Sequence, residues 1–502
     1  MEFLDPKAEH RHRILLLIGY GLIAIAIGFA SLIMLYYSYG YSLGSEGEVK
    51  QNGLVFISST PEGATLTLNG ERESEKTNAR LTLQSGDYSV RLDAEGYRTW
   101  QHDFTVQGGD VQRLDYAMLF PKELKTTEVA SFTSAPVLAS QSPDKRWLLL
   151  KPNDAGSPRL FTLYDLKSPD KPVVQEVTIA EGISTTSTGA ESWLPISWAN
   201  DNRHLLLRHT YTLNGAEGHE YIMFDRGDGA LALNLTSKFS LAATDELTLF
   251  DQKYDKFYAY NSETKILRSF DSDGKTLVDA VERVRAYKTY GSDTILYIAE
   301  LSPTDKQASE VVNVVLRQGS RRVVLRRLPA SATSYPLNLA TYAGKWYVAV
   351  GANTLTGIYL YRDPLDQQVA GNSFPKPWRF LAVVSPTQVA FSGNARFVLA
   401  ANGQTCAVYD AENITTHRFT LAQAIDAPQT GVQWMDGYRL SYVSGGKLTV
   451  VEFDNENLQQ LQPASPNYTP FFSGNYKYVF SLGVPSENGV VKLESTSLRV
   501  LK

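Results

Sequence analysis

The chain has 502 residues, more than one hydrophobic core usually holds, so two or more domains are expected. Its formal net charge is −5, with charges of both signs interspersed, which indicates no polyanion-binding surface and no nucleic-acid partner. Cys406 is the only cysteine, so an intramolecular disulfide is excluded. Its apolar neighbours Ala407 and Val408 predict a buried thiol that is not a nucleophile.

Residues 14–37 form the longest apolar stretch, ILLLIGYGLIAIAIGFASLIMLYY. A helix needs about 20 apolar residues to cross a hydrocarbon core of ~30 Å, and these 24 are enough. A cleaved signal peptide is the alternative, but its apolar region usually has only about 7–15 residues before a small-residue cleavage site. Ala24-Ile25-Ala26 has small residues in the right pattern but lies in the middle of the span. We therefore predict an uncleaved transmembrane helix that contacts membrane lipid through residues 14–37.

The charges flanking this span predict its orientation. Lys7, Arg11 and Arg13 precede it, and only Lys50 lies close after it, behind Glu46 and Glu48. Because cationic flanks stay on the cytoplasmic side, residues 1–13 are predicted to be a cytoplasmic tail. Everything after the helix is then predicted to be extracytoplasmic at the cell membrane. Residues 38–52, rich in Gly and Ser, are predicted to be a flexible linker.

Short alternating strands separated by turns fill residues 53–122. Asn69-Gly70, between two apolar runs, is a strong hairpin signal, and Ser85-Gly86 ends another run. Trp100, His102, Phe104 and Val106 share one face at period two, so His102 is predicted to be a packing residue. The pattern predicts a small all-β module.

This module resembles the PEGA domain, a small β-sandwich of microbial envelope proteins. The resemblance is carried by four motifs in the family's order: Pro61-Glu62-Gly63-Ala64, Asn69-Gly70, Gly86-x-Tyr88 and Gly96-Tyr97. It departs at Glu73 to Asn78, where Thr77 remains but Asn78 stands in place of a proline. The resemblance implies contact with glycans or other proteins and no chemistry. We expect the motif residues themselves to be structural, because glycines supply backbone angles and tyrosines pack.

Two signals repeat through residues 123–502. Four six-residue turns, each followed by a short apolar run, combine an Asx residue with a cation that is expected to face water: Ser142–Trp147, Ala199–His204, Ser392–Phe397 and Ser473–Tyr478. An aromatic-Asp pair ends another strand in five places: Tyr164-Asp165, Phe224-Asp225, Phe270-Asp271, Tyr409-Asp410 and Phe453-Asp454.

The spacing of the aspartates places both signals on one repeat. Asp225 and Asp271 are 46 residues apart, and Asp410 and Asp454 are 44 apart. Units of about 40–50 residues with four strands each are typical of a β-propeller. The units begin near residues 136, 193, 247, 283, 336, 386, 430 and 468, which predicts eight blades, with seven as the alternative. Residues 129–137 are predicted to add an outer strand to the last blade, and residues 183–189 to form a mobile insertion.

This region is similar to WD-repeat and Tol-B-like propellers, because an aromatic-Asp pair takes the place of Trp-Asp and Ser142-Pro143-Asp144 opens the first unit. Such propellers host many functions, so the resemblance implies a shape alone. The overall fold class is therefore mainly β, with one transmembrane helix, a PEGA-like sandwich and a propeller.

Metal and catalytic motifs are weak. His204, His209 and His219 are the best metal candidates, but the odd spacing of His204 and His209 puts them on opposite faces of a continuous strand. Asp271, Asp273 and Glu282 have part of a calcium-loop spacing, but Lys275 occupies a ligand position, which favours a hairpin turn. A G-x-S-x-G string occurs once, at residues 40–44 in the predicted linker and not at a predicted strand-to-helix turn, and no H-E-x-x-H motif occurs. We predict no metal, no cofactor and no catalytic residue.

These observations favour a single-pass membrane-anchored protein that binds or scaffolds envelope proteins or glycans through its PEGA-like and propeller surfaces. Two alternatives stay open. One is a glycan-active or other enzyme whose active site lies in the propeller channel, for which two inward carboxylates about 5–10 Å apart would be the sign. The other is a subunit of a membrane complex that works through a partner.

Overall fold

The computed structural model describes residues 6–38, 40–43, 49–153, 156–367, 373–426 and 431–500. The chain divides into two compact units, residues 1–123 and residues 124–502.

Helix α1 (Pro6–Ser38) is the one helix, among the described residues, that is long and apolar enough to cross a membrane. The apolar stretch spans His10–Ser38, and its side chains are exposed all round, among them Leu17 and Met34. A helix that is apolar on every side has no face that prefers water, as expected for a helix in lipid. The helix begins at Pro6 and so includes part of the segment predicted to be a tail.

Eight strands follow α1 in the first unit. They are β1 (Tyr41–Leu43), β2 (Val49–Thr60), β3 (Thr65–Leu68), β4 (Glu71–Lys76), β5 (Ala79–Gln84), β6 (Gly86–Asp93), β7 (Trp100–Val106) and β8 (Val111–Met118). One sheet places β2 between β5 and the pair β1 and β8, and the other has the order β4-β3-β6-β7. Alternating apolar residues of both sheets are buried, among them Val55, Ile57, Leu66, Val90 and Trp100.

Part of the segment predicted to be a flexible linker forms a paired strand. Tyr41–Leu43 forms β1 and pairs antiparallel with residues 49–51, at the start of β2. These ladder hydrogen bonds satisfy backbone groups that a free spacer would leave to water. Residues 44–48 lie outside the described residues.

The second unit opens with β9 (Lys125–Phe132). Sheet 1 then contains β10 (Leu138–Gln141), β11 (Trp147–Lys151), β12 (Leu160–Asp165) and β13 (Val173–Thr178). Sheet 2 contains β14 (Ser192–Trp198), β15 (His204–Leu213), β16 (Ala216–Asp225) and β17 (Leu233–Asn234), and sheet 3 contains β18 (Asp245–Leu249), β19 (Lys256–Asn261) and β20 (Ile266–Asp271). Three short helices accompany them: η1 (Gly229–Leu231), α2 (Leu235–Phe239) and η2 (Phe250–Gln252).

Five more sheets follow. Sheet 4 contains β21 (Val284–Tyr290), β22 (Thr294–Glu300), β23 (Val311–Gln318) and β24 (Arg321–Pro329), and sheet 5 contains β25 (Leu337–Tyr342), β26 (Lys345–Val350), β27 (Gly357–Arg362) and β28 (Arg379–Ala382). Sheet 6 contains β29 (Gln388–Phe391), β30 (Phe397–Asn402), β31 (Thr405–Asp410) and β32 (Thr415–Thr420). Sheet 7 contains β33 (Gln433–Trp434), β34 (Arg439–Ser444), β35 (Lys447–Glu452) and β36 (Gln459–Pro463), and sheet 8 contains β37 (Phe471–Phe472), β38 (Tyr478–Leu482) and β39 (Val491–Ser497).

Neighbouring sheets pack face to face, and the last packs on the first. Phe161 of sheet 1 lies in one core with Trp193 of sheet 2. Leu148 and Leu150, whose side chains alternate with that of Leu149, lie instead in a core with Phe480 of sheet 8. Strand β9 completes sheet 8 by pairing with β39, so an early strand joins the last sheet as predicted, but it spans residues 125–132 and not 129–137. The second unit is therefore a β-propeller whose two ends share one sheet.

Eight sheets favour eight blades over the alternative of seven. The blade count stays a prediction, since sheet 3 lacks a regular fourth strand. Isolated bridges from Thr276 to Phe270 and from Val281 to Leu267 take its place.

The two repeated signals are partners in space. Each of the four predicted turns joins the first and second strands of a sheet, and each aromatic-Asp pair stands at the end of the third strand. The cation of the turn therefore reaches the aspartate: Arg146 pairs with Asp165 at 2.6 Å, Arg203 with Asp225 at 2.7 Å, and Arg396 with Asp410 at 2.7 Å. The expectation that the cation faces water is wrong for Arg396, which is buried because Asp410 and Glu412 compensate its charge.

Candidate functional site

The PEGA-like motif residues lie at turns and strand starts. Residues 61–64 form the turn from β2 to β3, and Ala64 is buried there. Asn69 and Gly70, with φ of 48° and 87°, form the hairpin turn between β3 and β4, which confirms that prediction. Gly86 begins β6, Tyr88 stacks on Phe104 with ring centroids 5.8 Å apart, and Gly96 and Tyr97 lie between β6 and β7. That these residues are structural stays a prediction.

Thr77 anchors the turn that carries the first motif. Its hydroxyl accepts from the backbone N–H of Ala64 at 2.9 Å and shares a hydrogen bond of 2.6 Å with the hydroxyl of Ser59. Its backbone carbonyl accepts from the N–H of Gly63 at 2.7 Å. The loop that departs from the family pattern is therefore fixed to the 61–64 turn through its one retained residue.

A cleft between sheets 1 and 2 is the best-formed candidate binding site. Its volume is about 630 Å³, within the range of small-molecule pockets. One wall is the segment that follows β11, and the other is the loop of residues 184–191 that leads into β14. We call it the sheet 1–2 cleft.

Trp193 and His209 line the cleft on the side of sheet 2, and with Glu220 behind them they form a row across three neighbouring strands. Trp193 of β14 lies opposite His209 of β15, which lies opposite Glu220 of β16. The His209 ring stacks on Trp193 with centroids 4.0 Å apart, and its Nδ1 lies 2.9 Å from Glu220 Oε1. Glu191 of the loop approaches the other ring nitrogen, with its Oε2 at 3.3 Å from Nε2.

Glu220 ties the loop to this row. Its carboxylate accepts from the backbone N–H of Thr185 at 2.7 Å, from the Thr185 hydroxyl at 3.0 Å and from the Asn234 amide at 2.7 Å. Burial alone raises the pKa of Glu220, but the hydrogen bonds from His209, Thr185 and Asn234 outweigh it and hold the pKa below its ordinary value. Glu220 therefore remains an anion that fixes both the histidine and the loop.

The loop is also bound to the hairpin of β15 and β16. The N–H of Thr188 donates to the carbonyl of Thr212 at 2.7 Å, and the N–H of Thr212 donates to the hydroxyl of Ser187 at 3.0 Å. The predicted insertion therefore packs against the hairpin as a wall of the cleft, a role that the expectation of a mobile loop did not include.

Three residues that carry hydrogen-bond donors line the cleft. Trp193 is 3% exposed and lines the cleft, and its indole Nε1 is a buried donor with no hydrogen-bond partner among the described residues. Lys151, at the end of β11, and Arg159 also line the cleft. Buried polar groups in native proteins are nearly always satisfied, so an unsatisfied indole N–H is unusual.

The three histidines proposed as metal candidates do not converge. His204 stacks on Tyr254 at 4.1 Å, and its Nδ1 lies 2.6 Å from Asp201. His209 lies in the cleft, and His219, opposite Thr210, projects from the other face of the hairpin. Burial lowers the pKa of His219, and the charge of Arg208 lowers it further. Asp271 accepts backbone N–H bonds from Asp273 and Lys275, as in a plain turn.

The central channel has a separate cavity of about 800 Å³. Its lining comes from the first strands of sheets 2 to 5 and from η2. Asp251 is the one carboxylate among the described residues that line it, and this carboxylate lies 3.2 Å from Lys253. This cavity therefore lacks the pair of carboxylates that the channel-enzyme alternative requires. That the chain is not an enzyme stays a prediction.

Comparison with family models identifies the first β-module. Residues 52–119 match the PEGA domain. The chain contains a PEGA domain. The domain includes all four sequence motifs and strands β3 to β8. A search of curated proteins finds no relative.

Solved structures similar to the chain include several propellers. Oligogalacturonate lyase in complex with manganese is 11% identical, with 75% of this chain and 98% of that chain covered and a TM-score of 0.38. AztD from Citrobacter koseri is 12% identical, with 80% and 96% covered and a TM-score of 0.36. The Cps50 (Swd1) β-propeller domain of Myceliophteria thermophila is 13% identical, with 74% and 99% covered and a TM-score of 0.36. Such distant similarities carry no inference about ligands or reactions.

Sequence analysis did not identify Trp193, Glu191 or Glu220. One signal was present: Asn214-Gly215 is a hairpin dipeptide, and a two-residue turn there places His209 opposite Glu220. The structure has this turn, with φ of 54° at Asn214 and 80° at Gly215. No local signal relates Trp193 or Glu191 to His209, because β14 contains a register shift between Pro195 and Ser197.

Proposed function

We propose that the protein is a membrane-anchored binding protein that carries a PEGA domain and a propeller on the outer side of the cell membrane. Support for the anchor is the length and all-round apolarity of α1. Support for the orientation is the excess of cations before the span, Lys7, Arg11 and Arg13. The PEGA domain and the propeller are both folds that usually present binding surfaces.

We further propose that the sheet 1–2 cleft binds a small polar ligand that offers a hydrogen-bond acceptor, such as the carboxylate or acetamido carbonyl of a sugar. The observation that carries this proposal is the unpartnered indole N–H of Trp193 at the wall of a cleft of about 630 Å³. Stacking on His209 and the T-shaped contact with Phe161 at 5.4 Å fix the indole. A donor that is already oriented loses little entropy when a ligand binds.

The test measures thermal stabilisation of the full-length protein in detergent by glucuronate, galacturonate, N-acetylglucosamine and glucose. A ligand at 100 times its Kd adds ~2.7 kcal/mol to the free energy of unfolding. We expect an acceptor-bearing sugar to raise Tm in the wild type. Trp193→Phe keeps a ring for the stack but removes the N–H, so it should lose the shift. Trp346→Phe, which changes an indole outside the cleft, should keep it. No shift with any probe, or an equal shift in Trp193→Phe, would refute the cleft as the site.

A further inference from the structure

Positive charge is concentrated in one part of the propeller. Residues 311–384 contain nine lysines and arginines but only two acidic residues, whereas the whole chain has a net charge of −5. The segment spans the last two strands of sheet 4 and all of sheet 5. The charges are therefore less evenly interspersed than the composition indicated. The net charge of the whole chain does not reveal this cationic segment, because acidic residues elsewhere outnumber the basic ones.

Five of these cations lie on the outer strands β24 and β28, and a sixth ends the adjacent strand β27. We call them the basic rim: Arg321, Arg322, Arg326, Arg327, Arg362 and Arg379. The N-terminal end of β24 lies against sheet 5, since Arg321 donates to the Leu365 carbonyl at 2.6 Å and to Asp366 at 2.7 Å. Arg321 therefore links β24 to sheet 5, while Arg322 and Arg327 lie along the same edge strand.

Aromatic rings hold three of these guanidinium groups. The Arg326 guanidinium carbon lies 3.1 Å from the centroid of the Tyr359 ring. Arg362 and Arg379 both lie over Trp378, at 3.6 Å and 4.5 Å. In sheets 1, 2 and 6, by contrast, the arginines of the repeated turns pair with aspartates. Within the described residues, the ion pair of Arg321 with Asp366 is the one ion pair of the rim.

This arrangement leaves the positive charge available to a ligand. A ring covers the face of a guanidinium group but not its edge, where the N–H groups can bind the two oxygens of a carboxylate or phosphate. Arg322 and Arg327 are exposed and donate to neutral groups, the Tyr297 hydroxyl and the Gln307 amide oxygen. Two exposed rings accompany the cations in the sequence: Phe374 lies between Arg362 and Arg379, and Phe380 follows Arg379.

We propose that the basic rim binds an anionic polysaccharide, one that carries carboxylate or phosphate groups along its chain. The nine residues of β24 extend about 30 Å, which suits an extended polymer with repeated charges. Aromatic faces beside the cations suit sugar rings. A membrane surface is less well matched, because the three ring-held guanidinium groups lie flat on rigid strands instead of projecting from a loop. The rim is separate from the sheet 1–2 cleft, so failure of one site leaves the other untouched.

The test measures binding of the full-length protein in detergent to polygalacturonate, to a phosphomannan and to neutral dextran. We expect one or both anionic polymers to bind, dextran not to bind, and affinity to fall as salt rises from 50 to 500 mM. Arg322→Gln with Arg327→Gln, both at exposed positions, should weaken binding about tenfold. The matched control, Lys167→Gln with Arg418→Gln, removes two exposed charges from sheets 1 and 6 and should change affinity less than twofold.

A second variant tests the geometry of the stacked groups. Arg362→Lys with Arg379→Lys keeps the charge but removes the planar fork, so binding should weaken while the salt dependence is retained. Equal binding of dextran, equal losses in the rim and control variants, or wild-type affinity in the rim variant would overturn the proposal. Tighter binding to phosphatidylglycerol vesicles or to duplex DNA than to either polysaccharide would also overturn it.

Discussion

Replacing Asp410 by asparagine tests how burial sets the contribution of the repeated arginine–aspartate pair. The Asp410 carboxylate accepts from Arg396 Nε at 2.9 Å and Nη2 at 2.7 Å, with the two side chains 1% and 8% exposed. Asparagine has nearly the same shape but no charge, so the variant leaves a buried guanidinium group without its main counter-ion. Breaking a buried pair by removing one partner costs ~3–5 kcal/mol. Glu412, 2.7 Å from Arg396, remains, so we expect about 3 kcal/mol.

Asp165→Asn is the matched control. Arg146 and Asp165 occupy the same repeat positions in sheet 1, but their side chains are 42% and 18% exposed. Pairs this close to water contribute ~0–1 kcal/mol. The two substitutions remove the same charge from the same position of the repeat and differ mainly in burial.

The assay is urea unfolding of both full-length variants in detergent, followed by tryptophan fluorescence. Six of the seven tryptophans lie after residue 124, so the signal reports mainly on the propeller. We expect Asp410→Asn to lose about 2–3 kcal/mol more than Asp165→Asn. Equal losses in the two variants would show that burial does not set the contribution of the pair, and would refute the reasoning.

Three further predictions concern single residues. The hydrogen bond from Arg146 holds the pKa of Asp165 below its ordinary value, so this pair stabilises the fold above about pH 4 and stops doing so as pH falls through the lower folded-state pKa. The stability difference between the wild type and Asp165→Asn should therefore shrink from pH 5 to pH 2. Thr77→Val should cost the PEGA domain ~1–3 kcal/mol, measured by hydrogen exchange across residues 53–119, because it leaves the Ala64 N–H unpaired. Burial raises the pKa of Cys406 to about 12, so an aromatic disulfide reagent at pH 8 should label it only after denaturation.

Each of these predictions has a control. A constant difference between the wild type and Asp165→Asn across that pH range would contradict the depressed pKa. Thr82→Val, at an exposed position of β5, should leave exchange unchanged, and an equal effect at both threonines would contradict the role of the Thr77 hydroxyl. Stoichiometric labelling of native Cys406 would contradict its burial.

Much of the architecture follows from local sequence signals. The Asn69-Gly70 turn and the PEGA motifs predict the first module because two-residue turns fix the register of the strands that they join. The repeated turns and aromatic-Asp pairs locate the second and third strands of the propeller sheets. Their contact, as in Arg203 with Asp225, was not predicted, because spacing along the chain does not show which side chains of one repeat meet.

The candidate sites were harder to predict, for two physical reasons. The sheet 1–2 cleft depends on the path of the loop before β14 and on the register shift within β14, neither of which has a local signal. The basic rim was not predicted because only the net charge of the whole chain was considered. That value, −5, combines a cationic segment with an acidic remainder. A count of charges in windows along the chain would have found it.

The central claim is that the β-domains lie on the outer side of the cell membrane. Cysteine accessibility in right-side-out protoplasts tests this claim most directly. Ser74→Cys places a thiol at an exposed position of β4 in the PEGA domain, and Glu2→Cys places one before the apolar span. Buried Cys406 should give no background. A membrane-impermeant maleimide should label Ser74→Cys in intact protoplasts and Glu2→Cys only after permeabilisation. Labelling of Ser74→Cys only after permeabilisation would contradict the proposed orientation.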